Sequence, residues 1–348
     1  DGAVINQHLL AGNLYRISGW HSCQCATKQA ACHQLFLWHN GETMHADTKP
    51  AILVTGAAGF VGRRLVAALL QRGYRVRCMV RRPVELPQGV EQTQADLLRP
   101  ETLPAALAGI TVAYYLVHSM GASKGDFADQ DRQAARNFTV AADAAGVSRV
   151  IYLGGLGETG DNLSHHLASR LEVGSILQSG RFSTTFLRAA VIIGYGGSSY
   201  EMVHSLVKRL PVMITPRWVS TRNQPIAVAD VIAYLAGCLE EPKTAGQTFD
   251  IGGPDILTYK EMMERFAAVE GRRLWIIPVP VLTPKLSSYW VGLVTPVKAA
   301  IAIALIEGLK NEVICRDNRI RDLLPIRLTS FDEAIRTALA EQKRGELL

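Results

Sequence analysis

Residues 51–62 read A-I-L-V-T-G-A-A-G-F-V-G, and their order decides the fold. Residues 51–54 are apolar throughout, a run too short for a helix and typical of a strand covered on both faces. Beyond the glycine-rich turn, Phe60, Val61, Leu65, Leu69 and Leu70 recur at helical spacing as far as Gly73. Gly56 allows a sharp turn, Gly59 leaves room for a pyrophosphate against the backbone, and Gly62 lets the helix pack closely on the strand. The helix N-terminus then offers free N–H groups and the positive end of its dipole to the phosphates. The spacing is G-x-x-G-x-x-G, and glycines also serve ordinary turns. The strand before and the helix after therefore carry the assignment to dinucleotide binding. Thr55, Ala58, Phe60 and Val61 fall in the same turn and join the three glycines as expected cofactor contacts.

Outward from this unit the pattern alternates. Strands are expected at 75–80, 90–93, 111–117, 150–153 and 184–187, and helices at 101–107, 127–145 and 164–178. Such alternation is the signature of a parallel sheet with helices on both faces. After residue 190 it loosens: Gly194, Gly196 and Gly197 mark a loop, and Pro211, Pro216 and Pro225 interrupt the segment beyond that loop. Helices are expected there at 200–209, 229–239, 259–268, 284–309 and 331–341, with a strand at 248–251. The predicted architecture is α/β: a Rossmann-type doubly wound parallel sheet over residues 50–190, and a smaller C-terminal substrate lobe over 191–348. That lobe is interleaved with the core and shapes the substrate cleft.

Residues 1–49 stand apart, with five of the nine histidines, three of the six cysteines and little apolar periodicity. They read as an appended, poorly ordered segment, with Met44 a natural start for the working protein. Cys23, Cys25, Cys32, His21 and His33 lack the paired C-x2-C spacing of common structural zinc sites, so no metal site is expected.

Composition narrows the classes further. The chain of 348 residues is 48% hydrophobic and 20% charged, which suits a folded protein with an ample core and excludes a disordered one. The net charge is +6, and residues 1–49 hold equal numbers of acidic and basic residues, so the excess lies in the body. It fits attraction of an anionic ligand such as a phosphorylated cofactor, or simply a basic surface. No Lys and Arg run tracks along one helix, so no nucleic-acid partner is expected. The nearest approach to a transmembrane stretch, residues 286–306, is interrupted by Pro296 and Lys298 and reads as a buried or cap-forming helix. The first residues lack the basic start and compact apolar core of a signal peptide, and free thiols fit the same compartment, so the expected location is the cytoplasm. A small-molecule substrate is the expected partner, and a homodimer is compatible with this reading.

The second strand bears on cofactor choice. An acidic residue at its end would bind a ribose 2′-hydroxyl, whereas arginine accommodates a 2′-phosphate. Arg81 and Arg82 stand there, and a guanidinium matches phosphate bidentately, so NADP(H) is favoured over NAD(H) unless both are solvated loop residues. Asp96, after the third strand, is placed to accept from the adenine amino group or to cap a helix, with Leu97 beside it. Leu116, Val117 and His118 end the fourth strand, and ligands of open α/β sheets bind beyond such ends.

Together these residues resemble the short-chain dehydrogenase/reductases. T-G-A-A-G-F-V-G at 55–62, M-V-R-R at 79–82 and A-D-L at 95–97 look like the extended and atypical branches, which include NmrA-like and nucleotide-sugar epimerase-like proteins. Y-Y-L-V-H-S-M at 114–120, Y-L-G-G-L at 152–156, H-L-A-S-R-L-E-V-G at 166–174 and N-Q-P-I-A-V-A-D-V at 223–231 are similar to a bacterial atypical subgroup of NAD(P)-binding oxidoreductases. The resemblance implies a Ser or Thr after strand five and a Tyr-x-x-x-Lys pair on the next helix. Gly154 and Gly155 occupy the first position here, and His166 and Arg170 the other two. Their i, i+4 spacing keeps them on one helix face.

On one reading His166 donates the proton in place of Tyr, and Arg170 holds the nicotinamide ribose as Lys would. On the other, His166 is a packed or solvated helix histidine and Arg170 pairs with Glu172 or a neighbour. Arginine cannot relay a proton itself. His118 is a second catalytic candidate, while Arg188, after strand six, reads as structural or ribose-contacting. The expected function is hydride transfer between nicotinamide and a small carbonyl or unsaturated substrate. The alternative is a catalytically silent NADP(H)-binding sensor or scaffold. Nucleotide-sugar epimerisation or dehydration, which normally relies on the missing Tyr, is a third.

Overall fold

A computed structural model describes residues 49–118, 127–157, 165–279 and 312–345. The Cys and His cluster before residue 49 and the helix expected at 284–309 lie outside the described residues. The first half follows the predicted alternation: β1 (Ala51–Thr55), α1 (Phe60–Gln71), β2 (Arg75–Val80), β3 (Glu91–Gln94), α2 (Leu103–Leu107), β4 (Val112–Tyr115), α3 (Phe127–Ala145), β5 (Arg149–Gly155), α4 (His165–Gln178) and β6 (Ser183–Ala189). Strand β4 is shorter than its apolar run because the Leu116 N–H leaves the ladder and donates to Thr55 Oγ1 at 3.1 Å.

The second half contains β7 (Ile192–Ile193), α5 (Ser198–Arg209), β8 (Val212–Pro216), β9 (Arg222–Asn223), β10 (Ile226–Ala227), α6 (Val228–Glu240), β11 (Thr248–Ile251), β12 (Leu257–Thr258), α7 (Tyr259–Val269), β13 (Trp275–Val279), α8 (Arg319–Leu323) and α9 (Phe331–Arg344). Seven strands form one parallel sheet in the order β11-β6-β5-β4-β1-β2-β3. The strand order reverses between β1 and β4, and that switch point opens a crevice at the carboxyl ends of the strands.

Alternation along β1 shows why an all-apolar run was needed. Ile52 and Val54 join the core under α1 and α6, with Leu65, Leu69, Val231 and Leu235, while Leu53 joins Leu107, Ala135, Phe138 and Leu177 under the helices of the other face. The strand at 248–251, read from sequence as part of the lobe, pairs instead with β6 from Thr248 opposite Phe186 to Ile251 opposite Ala189. The buried carboxylate of Asp250 fastens this edge. It accepts from Arg188 Nε at 2.8 Å and from the N–H groups of Arg316 and Asp317 at 3.0 and 3.2 Å, and Arg319 donates to the Thr248 carbonyl at 3.3 Å. A third core gathers Tyr200, Met262, Phe266 and Ile335 from α5, α7 and α9. Helix α7 starts in a capping box made by Thr258 and Glu261, and α9 ends at Gly345 with φ of 69°.

Candidate functional site

The glycine turn divides its labour. Gly56 has φ of 67°, and a Cβ there would lie 2.8 Å from the Leu116 carbonyl oxygen. A Cβ on Gly62 would lie 2.1 Å from the Gly56 oxygen, so both positions need glycine for the backbone to close. Gly59 differs. Its φ of −79° and ψ of 174° suit any residue, and beyond its chain neighbours a Cβ would meet only the Gly56 oxygen, at 3.1 Å. Here glycine keeps the space outside the turn open. Gly59 is the N-cap of α1, no side chain caps that end, and the first turn carries no acidic residue, so the end is left for an anion.

Thr55 does not face this space. Its fully buried hydroxyl donates to the Tyr114 carbonyl and accepts from the Leu116 N–H, both at 3.1 Å, which levels the ends of β1 and β4 and aims the turn. Beyond those ends lie two adjoining cavities. The larger, about 870 Å³, runs from Gly56, Ala58 and Gly59 past Arg81 and Arg82 to Asp96 and Leu97, with Leu116, Val117 and His118 on its other side. Arg81 and Arg82 are exposed, and the Arg81 carbonyl accepts from Gln94 Nε2 at 3.1 Å, which ties the end of β2 to β3. Asp96 lines the cavity and also accepts from the Leu98 N–H at 3.0 Å, a local turn contact and not a helix cap.

The smaller cavity, about 360 Å³, shares Gly56, Gly59, Leu116 and His118 with the first. It adds Phe60, Val61 and Gly62 from α1, Gly154 and Gly155 from β5, and Arg170 from α4. Ser198 and Ser199 complete it from the start of α5, a contribution the sequence reading missed. The signal was present in Y-G-G-S-S at 195–199, glycines running into a helix as at 56–62. A Cβ on Gly197 would lie 3.0 Å from the Phe60 ring, so this glycine lets α5 approach α1.

Arg170 is the notable charge. Its side chain is only 5% exposed, its Nε has no hydrogen-bond partner among the described residues, and its carbonyl accepts from Tyr152 Oη at 3.1 Å. Burial pushes the guanidinium pKa down, and the nearby Tyr152 and Asp131 oppose that shift. Glu172, its expected partner on the alternative reading, instead meets Arg132 at 3.5 Å. His166 lies in the first turn of α4, and its side chain is outside the described residues. Arg188 is held by Asp250, its Nη2 lying 2.6 Å from Oδ1.

The structure also explains the missing hydroxyl residue. A Cβ on Gly154 and one on Gly174 would each lie 2.5 Å from the Phe186 ring, which fills the gap between β5 and α4. Restoring a hydroxyl by Gly154→Ser is therefore expected to overpack this contact and destabilise the fold by about 1–3 kcal/mol. A lowered urea midpoint at unchanged slope is the expected readout.

Among the described residues no cluster of three or more His, Cys, Asp or Glu is arranged to hold a metal, and no helix is long and apolar enough to cross a membrane. Residues 56–194 match the NAD(P)H-binding family. The chain is 30% identical over 245 residues to the ceramide reductase of Caulobacter vibrioides, covering 68% of this chain and 76% of that protein. It is 25% identical to photosystem II assembly factor Ycf39 of Trieres chinensis, covering 70% and 76%. A short-chain dehydrogenase/reductase superfamily protein of Agrobacterium tumefaciens, solved with bound NAD, superposes with a TM-score of 0.61 at 21% identity over 84% of this chain and 98% of that one. An uncapped helix end behind an open glycine, two cavities at the switch point and these likenesses agree: the chain belongs to the short-chain dehydrogenase/reductase superfamily, as an atypical NAD(P)H-binding oxidoreductase.

Proposed function

We propose that the protein is an NADP(H)-dependent reductase of a small carbonyl or unsaturated substrate, with residues 191–348 shaping the substrate end. The carrying observation is the pair of adjoining cavities that meet at Gly59 and His118, one reaching Arg81 and Arg82 and the other lined by a buried guanidinium. When bound, NADP(H) supplies the hydride. Gly59 and the α1 N-terminus accept the pyrophosphate, Arg81 and Arg82 take the 2′-phosphate, and Asp96 accepts from the adenine amino group. Arg170 stays charged although it is buried, and it holds the ribose or stabilises negative charge developing on a substrate oxygen. The proton that completes reduction falls to a histidine, His118 where the cavities meet or His166 in the first turn of α4.

Likeness to ceramide reductase supports the enzyme. Likeness to an assembly factor, with glycines where a hydroxyl residue would stand, supports a second reading: a silent NADP(H)-binding sensor or scaffold. The two separate on one assay. For the reductase, NADPH oxidation is expected to rise at least about tenfold when a carbonyl or quinone panel is added, and tight NADPH binding with no stimulation would establish the silent form.

A further inference from the structure

The small sheet of β8 and β13 presents an apolar face to solvent. Trp275 is 67% exposed, Val212 54% and Ile277 50%. Val212 pairs in register with Trp275, and Ile277 follows two residues on, so the three side chains stand on one face. The next pair in register, Met213 and Ile276, turns to the opposite face and joins the Tyr200 and Phe266 core. The fold thus uses one side of this sheet and leaves a tryptophan on the other.

Basic residues gather at one end of that face, where both parallel strands begin. Lys208 and Arg209 end α5 just before β8, and Arg272 and Arg273 stand just before β13, all four exposed. Arg272 donates to the Lys208 carbonyl at 3.5 Å, which sets the two basic pairs side by side. Glu270, the nearest acidic residue in sequence, is drawn inward to His204 and Arg272, each at 3.4 Å.

We propose that this face docks on the surface of an anionic lipid bilayer, with Trp275, Ile277 and Val212 entering the headgroup region and the four basic residues meeting lipid phosphates. Tryptophan concentrates at the membrane interface, and each basic residue near an anionic surface adds attraction. Exposed apolar residues beside a cluster of cations suit a protein that lies on a membrane without spanning it.

The test is co-sedimentation of the full chain with vesicles of phosphatidylcholine alone or mixed with phosphatidylglycerol. Binding to the anionic vesicles is expected to be at least about tenfold stronger and to weaken with salt. Trp275→Ser combined with Ile277→Ser should weaken it about tenfold, and Lys208→Gln combined with Arg273→Glu should remove the anionic preference. All four side chains are exposed, so melting temperature and NADPH binding should not change, which separates loss of docking from loss of fold. Equal binding to both vesicle types, or binding that both variants retain, overturns the proposal. So does a wild-type dimer that Trp275→Ser converts to monomer in sedimentation equilibrium, since a second copy would then own the face.

Discussion

Gly59→Val is expected to abolish dinucleotide binding and leave the protein folded. The backbone at Gly59 is extended, with φ of −79° and ψ of 174°, so valine adopts it without strain. Beyond its chain neighbours its Cβ would meet only the Gly56 oxygen, at 3.1 Å, so the methyl groups project into the cavity and not into the core. They then occupy the place from which a pyrophosphate reaches the N–H groups of α1. Hydrogen bonds to a charged group contribute about 1.5–3 kcal/mol each, so losing even two weakens binding by roughly a hundredfold or more. Calorimetry with NADPH and a thermal melt check both halves, and unchanged affinity sinks the assignment. Gly62→Val is the contrasting control. At 2.1 Å from the Gly56 oxygen its Cβ has nowhere to go, and the loss should appear as unfolding.

Arg81→Glu should weaken NADPH far more than NADH, with Arg82→Ala doing so to a smaller degree. Both arginines line the far end of the larger cavity and are exposed, so exchanging them leaves the core intact. The 2′-phosphate is the only chemical difference between the two cofactors, so a residue that reads it must change their affinity ratio. One charge-assisted contact corresponds to about a tenfold to hundredfold change, and an introduced carboxylate adds repulsion of the phosphate while offering the 2′-hydroxyl of NADH an acceptor. Fluorescence titration of both cofactors into wild type and variant measures the ratio. A ratio that stays within about twofold assigns the arginines to the solvated surface.

The core of this fold was legible because its signals are local. The strand, turn and helix of residues 51–71 announce themselves in consecutive residues, and the helix Phe127–Ala145 fell on its predicted bounds. What escaped depends on partners distant in sequence. The strand Thr248–Ile251 reads correctly as a strand, but nothing in T-F-D-I says that it pairs with Phe186 and its neighbours across some sixty residues. The strands at Ile192–Ile193, Arg222–Asn223 and Ile226–Ala227 are two residues long, too short for any periodicity. Trp275–Val279 contains Pro278, which argues against a strand unless, as here, the sheet has only two members.

The site shows the same division. Glycine spacing and Arg81 were readable in place, whereas Gly154 read as a missing catalytic residue until the Phe186 ring gave it a packing reason. The burial of Arg170 follows from the seating of α4 against β5 and has no counterpart in the letters around it.

The carboxylate of Asp250 also settles what becomes of one of the sheet's two margins. At one margin, β3 reads E-Q-T-Q and is largely exposed, too short and polar to recruit a foreign strand. At the other, β11 is mostly buried, the kind of edge on which a second molecule could extend the ladder. Residues 316–319 close that edge, because Asp250 anchors their backbone and Arg319 occupies the Thr248 carbonyl. Loss of this one carboxylate therefore frees the backbone of residues 316 and 317 from the strand and leaves Arg188 without its buried partner, so a weakness at Asp250 would surface as clumping in concentrated solution together with lowered stability.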